Sequence, residues 1–437
     1  MARIPHKFRL VLALFTLPFF LWPGLLLVRD LFDPALRGPG IPHRARELHA
    51  ALSPQLTAWA RERVATGRAE HTALHDVPTT EWPMFTAVYY LMATESLVID
   101  WEAHGRRGPS PAAEGAPAVA ACKALLLDPA HHSWVRRHWG ADYLHDHNVF
   151  FRSLLIAGLS SYERITRDGT AVPMLRDQVD TLSAELDVSA LGVLEDYPGE
   201  TYPIDVLAAI GFIQRADVVL GTDHSAFIAR SRRAFSGAML DDLGLVPYRM
   251  DLPSGAHVQP SRGIGTSWIL LFAADLYGHD TARDWYGRYE RGSYQRRGWA
   301  EGFREHARGR DAEDFGFEID AGPVIDGFGT AASAYGIAAA RRNGRFDHAY
   351  ALSAELAAAS WTLPGGTLLF PRLASHASEA PYLGEAAILC FLTVQPARGA
   401  TIVAGAGLPG LARIGLLVFF GAPLLAWWSW RRAARRA

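Results

Sequence analysis

Residues 195–220 read EDYPGETYPIDVLAAIGFIQRADVVL, and the chain repeats the pattern of this stretch along its length. The first eight, Glu195-Asp196-Tyr197-Pro198-Gly199-Glu200-Thr201-Tyr202, mix carboxylates, aromatics and turn formers. From Ile204 to Leu220 the segment is almost uniformly apolar and rich in residues that favour helix. A helix that is apolar nearly all round is buried on all sides. This one therefore belongs to the inside of a helical protein, entered through a polar turn.

The same sentence of sequence recurs. Apolar helical segments are expected over 85–98, 149–165, 268–277, 331–340, 350–361 and 382–394, with more polar amphipathic helices such as 225–240 and 299–308 between some of them. Most of the apolar segments are entered through a turn-rich polar cluster. The others read Thr79-Thr80-Glu81-Trp82-Pro83, His145-Asp146-His147-Asn148, 257–267, 320–330 and 376–382. With Trp82, Asn148, Tyr202, Ser267, Thr330 and Tyr382 as markers, the gaps are 66, 54, 65, 63 and 52 residues. Six helix pairs make an inner ring wrapped by an outer ring, so the expected fold is all-α, an (α/α)6 toroid or barrel. If the inner helices run the same way, the six polar clusters meet at one end. The first turns there present unpaired N–H groups and partial positive charge, which suit carboxylates and polar ligands.

Two uncharged runs flank this region, 10–28 and 414–430. A bilayer core is crossed by about 20 apolar residues, so both are expected to be transmembrane helices. Arg431, Arg432, Arg435 and Arg436 place the C-terminus on the cytoplasmic side, and two spans then put both ends there. The expected organisation is a cytoplasmic N-terminus over 1–9, a barrel ectodomain over 29–405 outside the cytoplasm and a basic tail over 431–437. In a bacterium this is an inner-membrane protein with a periplasmic domain. The net charge of −2 gives no reason to expect a nucleic-acid partner. Cys122 and Cys390 are the only cysteines, both in apolar helical surroundings where a buried free thiol is the common state. The 13 Trp, 14 Tyr and 21 Phe must line a core or a pocket.

Chemistry is expected from the carboxylate-rich turn. Crowded carboxylates do not all ionise cheaply, so one acts as acid while another stays charged. Glu195, Asp196 and Glu200 are the catalytic candidates, whereas Asp205, in the first helical turn, is explained by the helix dipole. Asp146 and His147 form a second proton-transfer candidate. His145 and His147 lack a recognisable third ligand, so neither a metal nor another cofactor is expected. Substrate-binding candidates are Trp82 and Tyr89 on the first inner helix, Asn148, Tyr197, Tyr202, His257, Arg262, Asp326 and Tyr382. Asp320 or Asp326 would complete a carboxylate pair across the cavity. The turn at 327–329 follows no clear strand and is not a nucleotide fingerprint.

In four segments the chain resembles the linalool dehydratase/isomerase domain family. His147-Asn148-Val149-Phe150 opens a long helix; Glu195-Asp196-Tyr197 precedes an inner helix; Ser254-Gly255-Ala256 leads through Pro260 to Thr266-Ser267-Trp268; Gly327-Phe328-Gly329 leads to Ala331-Ala332-Ser333. The resemblance implies an (α/α)6 barrel and lyase or isomerase activity. The resemblance implies chemistry from two cysteines near the Glu-Asp-Tyr segment and a histidine in the helix after Asn148. Residues 194–205 here contain no cysteine and 149–160 no histidine, so the resemblance carries the fold but not the catalytic residues. The expected function is acid/base lyase or isomerase chemistry on an isoprenoid-like or other hydroxylated substrate. The alternatives are a cell-envelope glycan hydrolase or lyase using a carboxylate pair, and a membrane-tethered scaffold without turnover.

Overall fold

The computed structural model describes residues 6–72, 77–298, 300–310, 314–318, 320–376, 379–408 and 410–436. The helices are α1 (His6–Leu31), α2 (Pro34–Arg37), α3 (His43–Ala65), α4 (Val77–Ala103), α5 (Pro111–Leu126), α6 (Ser133–Trp139), α7 (Val149–Thr166), α8 (Val172–Val188), α9 (Pro203–Leu220) and α10 (Ser225–Ala234). The hairpin strands β1 (Arg249–Met250) and β2 (His257–Gln259) precede α11 (Gly263–Ile269), α12 (Ala273–Tyr277) and α13 (His279–Ser293). Strands β3 (Tyr294–Arg297), β4 (Ala300–Phe303), β5 (Phe315–Glu318), β6 (Gly322–Ile325) and β7 (Phe328–Gly329) lead to α14 (Thr330–Arg342), α15 (Phe346–Ser360), α16 (Leu369–His376), α17 (Leu383–Thr393) and α18 (Gly410–Arg436).

Six of these helices close a ring. α4 packs on α7, α7 on α9, α9 on α11, α11 on α14, α14 on α17, and α17 back on α4. Around them lie α3, α5, α8, α10, α13 and α15, so the chain is a helical double ring of the α/α type. Its inner members are the segments that read as apolar all round; in α7 every residue from Phe151 to Glu163 is buried. Glycines let the rings approach closely. A Cβ on Gly158 of α7 would lie 2.4 Å from the Leu126 Cδ1, and one on Gly211 of α9 2.4 Å from the Phe272 Cδ1.

Three expectations change. The helix expected over 268–277 is broken into α11 and α12, because the Leu270 carbonyl accepts a hydrogen bond from the Asn343 side chain at 3.0 Å instead of continuing the ladder. The amphipathic helix expected over 299–308 is instead strand β4, paired antiparallel with β3; Trp299 itself lies outside the described residues. Gly298, at φ +62°, makes the reversal that a hairpin needs. The segment 350–361 is apolar although its helix, α15, belongs to the outer ring, since α14 covers one side and α1 the other.

Gly263 marks the tightest backbone approach in the ring. A Cβ there would stand 2.2 Å from the Arg304 carbonyl oxygen, while the Gly263 N–H donates to the Glu305 carbonyl at 2.7 Å. No rotamer change relieves a clash with backbone. Gly263→Ala is expected to cost about 3 kcal/mol of unfolding free energy, read from a lower denaturant midpoint.

The terminal helices lie side by side. Gly24 of α1 admits Phe420 of α18, where a Cβ would be 2.7 Å from the Phe420 Cβ. Phe19, Phe20, Phe419 and Phe420 surround Trp361, which follows α15. Among the described residues, one helical stretch is long and apolar enough to cross a membrane, the 20 residues Gly410–Ser429. Its basic end places Arg431 and Arg432 over the rings of Trp427 and Trp428. The first expected span, 10–28, falls within α1, whose side chains are described from Phe19 onward. Cys122 and Cys390 are both buried and free.

Candidate active site

A cavity of about 670 Å3 opens at the end of the ring where the inner helices begin. Its wall takes Trp82 and Phe85 from α4, Phe150 from α7, Asp205 from α9, Trp268 from α11, Tyr335 from α14 and Leu383 from α17. The six inner helices thus run the same way and deliver their first turns to one place. Phe150, Phe85, Trp268 and Tyr335 meet edge to face in sequence, with centroids 5.8, 6.0 and 5.7 Å apart, and form a continuous aromatic wall.

Acids interrupt this wall. Asp205 stands in the first turn of α9, where burial and then the charge of Asp320 push its carboxyl up to about 8. Asp320 reaches the cavity from the tip between β5 and β6, and the Tyr248 hydroxyl donates to its Oδ2 at 2.8 Å. Glu200 receives the Tyr202 hydroxyl at 2.7 Å and faces Arg249 at 3.5 Å. Behind the wall, Glu81 is fully buried. Burial pushes its carboxyl up to about 8, against the Tyr197 hydroxyl, which donates to its Oε2 at 3.1 Å. Asp196 is buried too and raised by burial first, then by Asp205 and Glu81; the Tyr202 N–H, donating to its Oδ2 at 2.7 Å, and the Phe150 N–H pull the other way. Among the described residues no lysine or arginine lines the cavity, although His138 does. Burial and mutual repulsion favour the protonated form of Asp205, Glu81 and Asp196, so the site holds carboxylic acid at neutral pH.

Of the residues expected from the sequence, Trp82, Tyr89, Tyr197, Tyr202 and Glu200 line the cavity, and Asp196 lies just behind it. The Tyr89 and Tyr335 hydroxyls are hydrogen bonded to each other across it. The remaining candidates do not line the cavity. Glu195 works through its backbone: its N–H donates to the His147 Nδ1 at 3.1 Å and its carbonyl accepts from the Val149 N–H. His147 stacks on Trp139, Asn148 donates to the Tyr143 carbonyl, and both adopt positive φ, so this run is the left-handed turn that starts α7. Asp146 points to solvent. His257 is exposed on β2. Arg262 is held by Glu305 at 2.9 Å and by Glu318, with its guanidinium over the Tyr248 ring. Asp326 occupies an exposed turn at φ 51°, 3.5 Å from Arg297. Tyr382 precedes α17 and carries the Arg372 guanidinium on its ring.

Glu81, Tyr248, Trp268 and Tyr335 were not among the sequence candidates, and Asp205, weighed with Glu195, Asp196 and Glu200, was set aside as a first-turn dipole partner. Among the described residues, no group of three or more His, Cys, Asp and Glu side chains is arranged to hold a metal ion.

No family model matches the chain, and no curated protein matches it in sequence. Among solved structures, a crystal structure of D-mannose isomerase is similar, with 10% sequence identity over 69% of this chain and 86% of that one and a TM-score of 0.40.

Proposed function

We propose that this chain is an acid/base lyase or isomerase of the linalool dehydratase/isomerase type, tethered to a membrane by α1 and α18, and acting on an uncharged, hydroxylated and largely apolar molecule. The observation that carries this reading is the pairing of Asp205 and Asp320 on an aromatic wall free of lysine and arginine. An anionic substrate would be repelled there. A neutral alcohol finds carboxylic acid to donate to its oxygen and tyrosine hydroxyls to orient it.

In the forward direction the protonated Asp205 gives its proton to the substrate hydroxyl. The C–O bond breaks, water departs with the bonding pair, and the Asp320 carboxylate takes a proton from the neighbouring carbon as the C=C bond forms. Readdition of water at another carbon isomerises the alcohol by the same groups in reverse. No electron changes hands, so proton transfer suffices.

Trp82, Trp134 and the cavity tyrosines also suit a sugar ring, which favours a glycan-active enzyme as the second reading. The full chain, purified in detergent and given monoterpene alcohols and envelope oligosaccharides, separates the two by which class is turned over. Turnover of neither class by a folded protein argues against both.

The pH profile follows from the acid. Catalysis needs Asp205 protonated, so kcat/KM is expected to hold through neutral pH and to fall about tenfold per unit above about 8. Asp320→Asn, which removes the charge that raises Asp205, is expected to move this alkaline limb to lower pH in whatever activity survives.

A further inference from the structure

We propose that the mouth of the cavity rests on a lipid bilayer, so that substrate enters the site from the lipid. This rests on the reading of α18 as a membrane helix. Inner helices begin at the mouth, so α15, which follows inner helix α14, runs back toward it and ends beside it at Ser360. α18 runs in the same direction along this flank: Arg413, in its first turn, lines a groove with Tyr350 near the start of α15, and Phe420 reaches Trp361 just after its end. The rest of α18, with its arginines, continues past the level of the mouth. A membrane that holds this helix therefore lies at the mouth end.

Two exposed apolar surfaces stand at that same end. On α16, Phe370 and Leu373 are 53% and 59% exposed. On the β5–β6 hairpin, Phe315 and Phe317 are 64% and 74% exposed. The register pairs Phe315 with Ile325 and Phe317 with Pro323, so all four share one face, while Val324 turns inward. The surfaces are neighbours around the rim, because α16 packs on α17, β6 on α14, and α14 on α17. They are also continuous with the terminal helices: the Phe370 ring lies 6.4 Å from Trp361, which touches both α1 and α18. Large apolar side chains gathered on one rim, next to a membrane helix, match insertion into the interface between headgroups and acyl chains. The ribbon that presents Phe315 and Phe317 outward carries Asp320 inward at its tip, which joins the lipid contact to the acid site.

The test places single cysteines in the full chain at Phe317, Leu373, Leu425 and Val218, the last 81% exposed on the final turn of α9 at the far end of the barrel. Each variant carries an environment-sensitive fluorophore in phosphatidylethanolamine/phosphatidylglycerol vesicles. Labels at 317, 373 and 425 are expected to be quenched by lipids with a spin label high on the acyl chain and shielded from iodide, and the label at 218 the reverse. If 425 is quenched while 317 and 373 behave like 218, the mouth is away from the lipid and the inference fails. Shielding at 317 and 373 without lipid quenching points to a protein partner and also overturns it. The readout does not depend on turnover: quenched labels on an inert protein fail only the proposed reaction, and unquenched rim labels on an active enzyme fail only the docking.

Discussion

Asp205→Asn is expected to lower kcat by about 10^2–10^4-fold while the protein stays folded, the range lost when a positioned general acid is removed. Asparagine keeps the size of the side chain and removes the proton at the point where the leaving hydroxyl would take it. The surrounding geometry does not depend on the ionised form, since burial and Asp320 already keep this carboxyl protonated at neutral pH. The comparison that isolates the effect is Glu195→Gln. Its side chain is outside the cavity wall and its structural bonds come from the backbone, so kcat there should remain within a few fold. Equal losses in the two variants would detach the chemistry from the cavity.

Glu81 governs the second large effect, on stability. Its carboxyl is raised from 4.5 to about 8 by burial, so between those values the folded chain keeps a proton that the unfolded chain releases. The unfolded state then binds fewer protons, and stability falls as pH rises through this window. A shift from 4.5 to about 8 sets a ceiling of about 5 kcal/mol on the loss. Glu81→Gln has the shape of the protonated acid and cannot ionise. Denaturant unfolding at pH 5 and pH 8 should therefore show the variant gaining several kcal/mol on the native chain between the two, whereas parallel pH dependences would contradict the burial argument. Asp196 is raised in part by Glu81, so the difference between the two proteins reports Glu81 together with its coupling to this neighbour.

The physical origin of these groups explains what could be read from the sequence. The six-fold alternation was legible because an inner helix is covered on every side, and only apolar or small residues tolerate that; 149–165 and 204–220 correspond directly to α7 and α9. The 350–361 segment shows the limit of that signal, since α15 is apolar for a different reason, the cover provided by α1. The site was half legible. Tyr197, Glu200 and Tyr202 announce themselves as a cluster, and they do line the cavity. Asp205 did not, because an acid in the first turn of any helix has a sufficient local explanation in the helix dipole. Glu81 sits inside a Thr-Thr-Glu-Trp-Pro turn that reads as a cap, and only the approach of Tyr197 from a distant segment reveals its burial. The His145 to Asn148 run misled in the opposite direction: its imidazoles and amide are consumed in building a left-handed turn, a backbone requirement that composition does not display. Asp326 was the substrate-binding candidate, with Asp320 as the alternative acid, yet Asp320 lines the cavity from the β5–β6 tip while Asp326, in the turn after β6, pairs with Arg297.

Everything proposed for the reaction depends on Asp205 standing on the cavity wall as a carboxylic acid, not a carboxylate, at neutral pH. Infrared difference spectra between the native chain and Asp205→Asn measure this directly, through the carbonyl band of a protonated carboxyl. This band is expected to be present at pH 7 and to disappear with a midpoint near 8. A difference spectrum at pH 7 that contains only carboxylate, with the acid band appearing below pH 5, would contradict it.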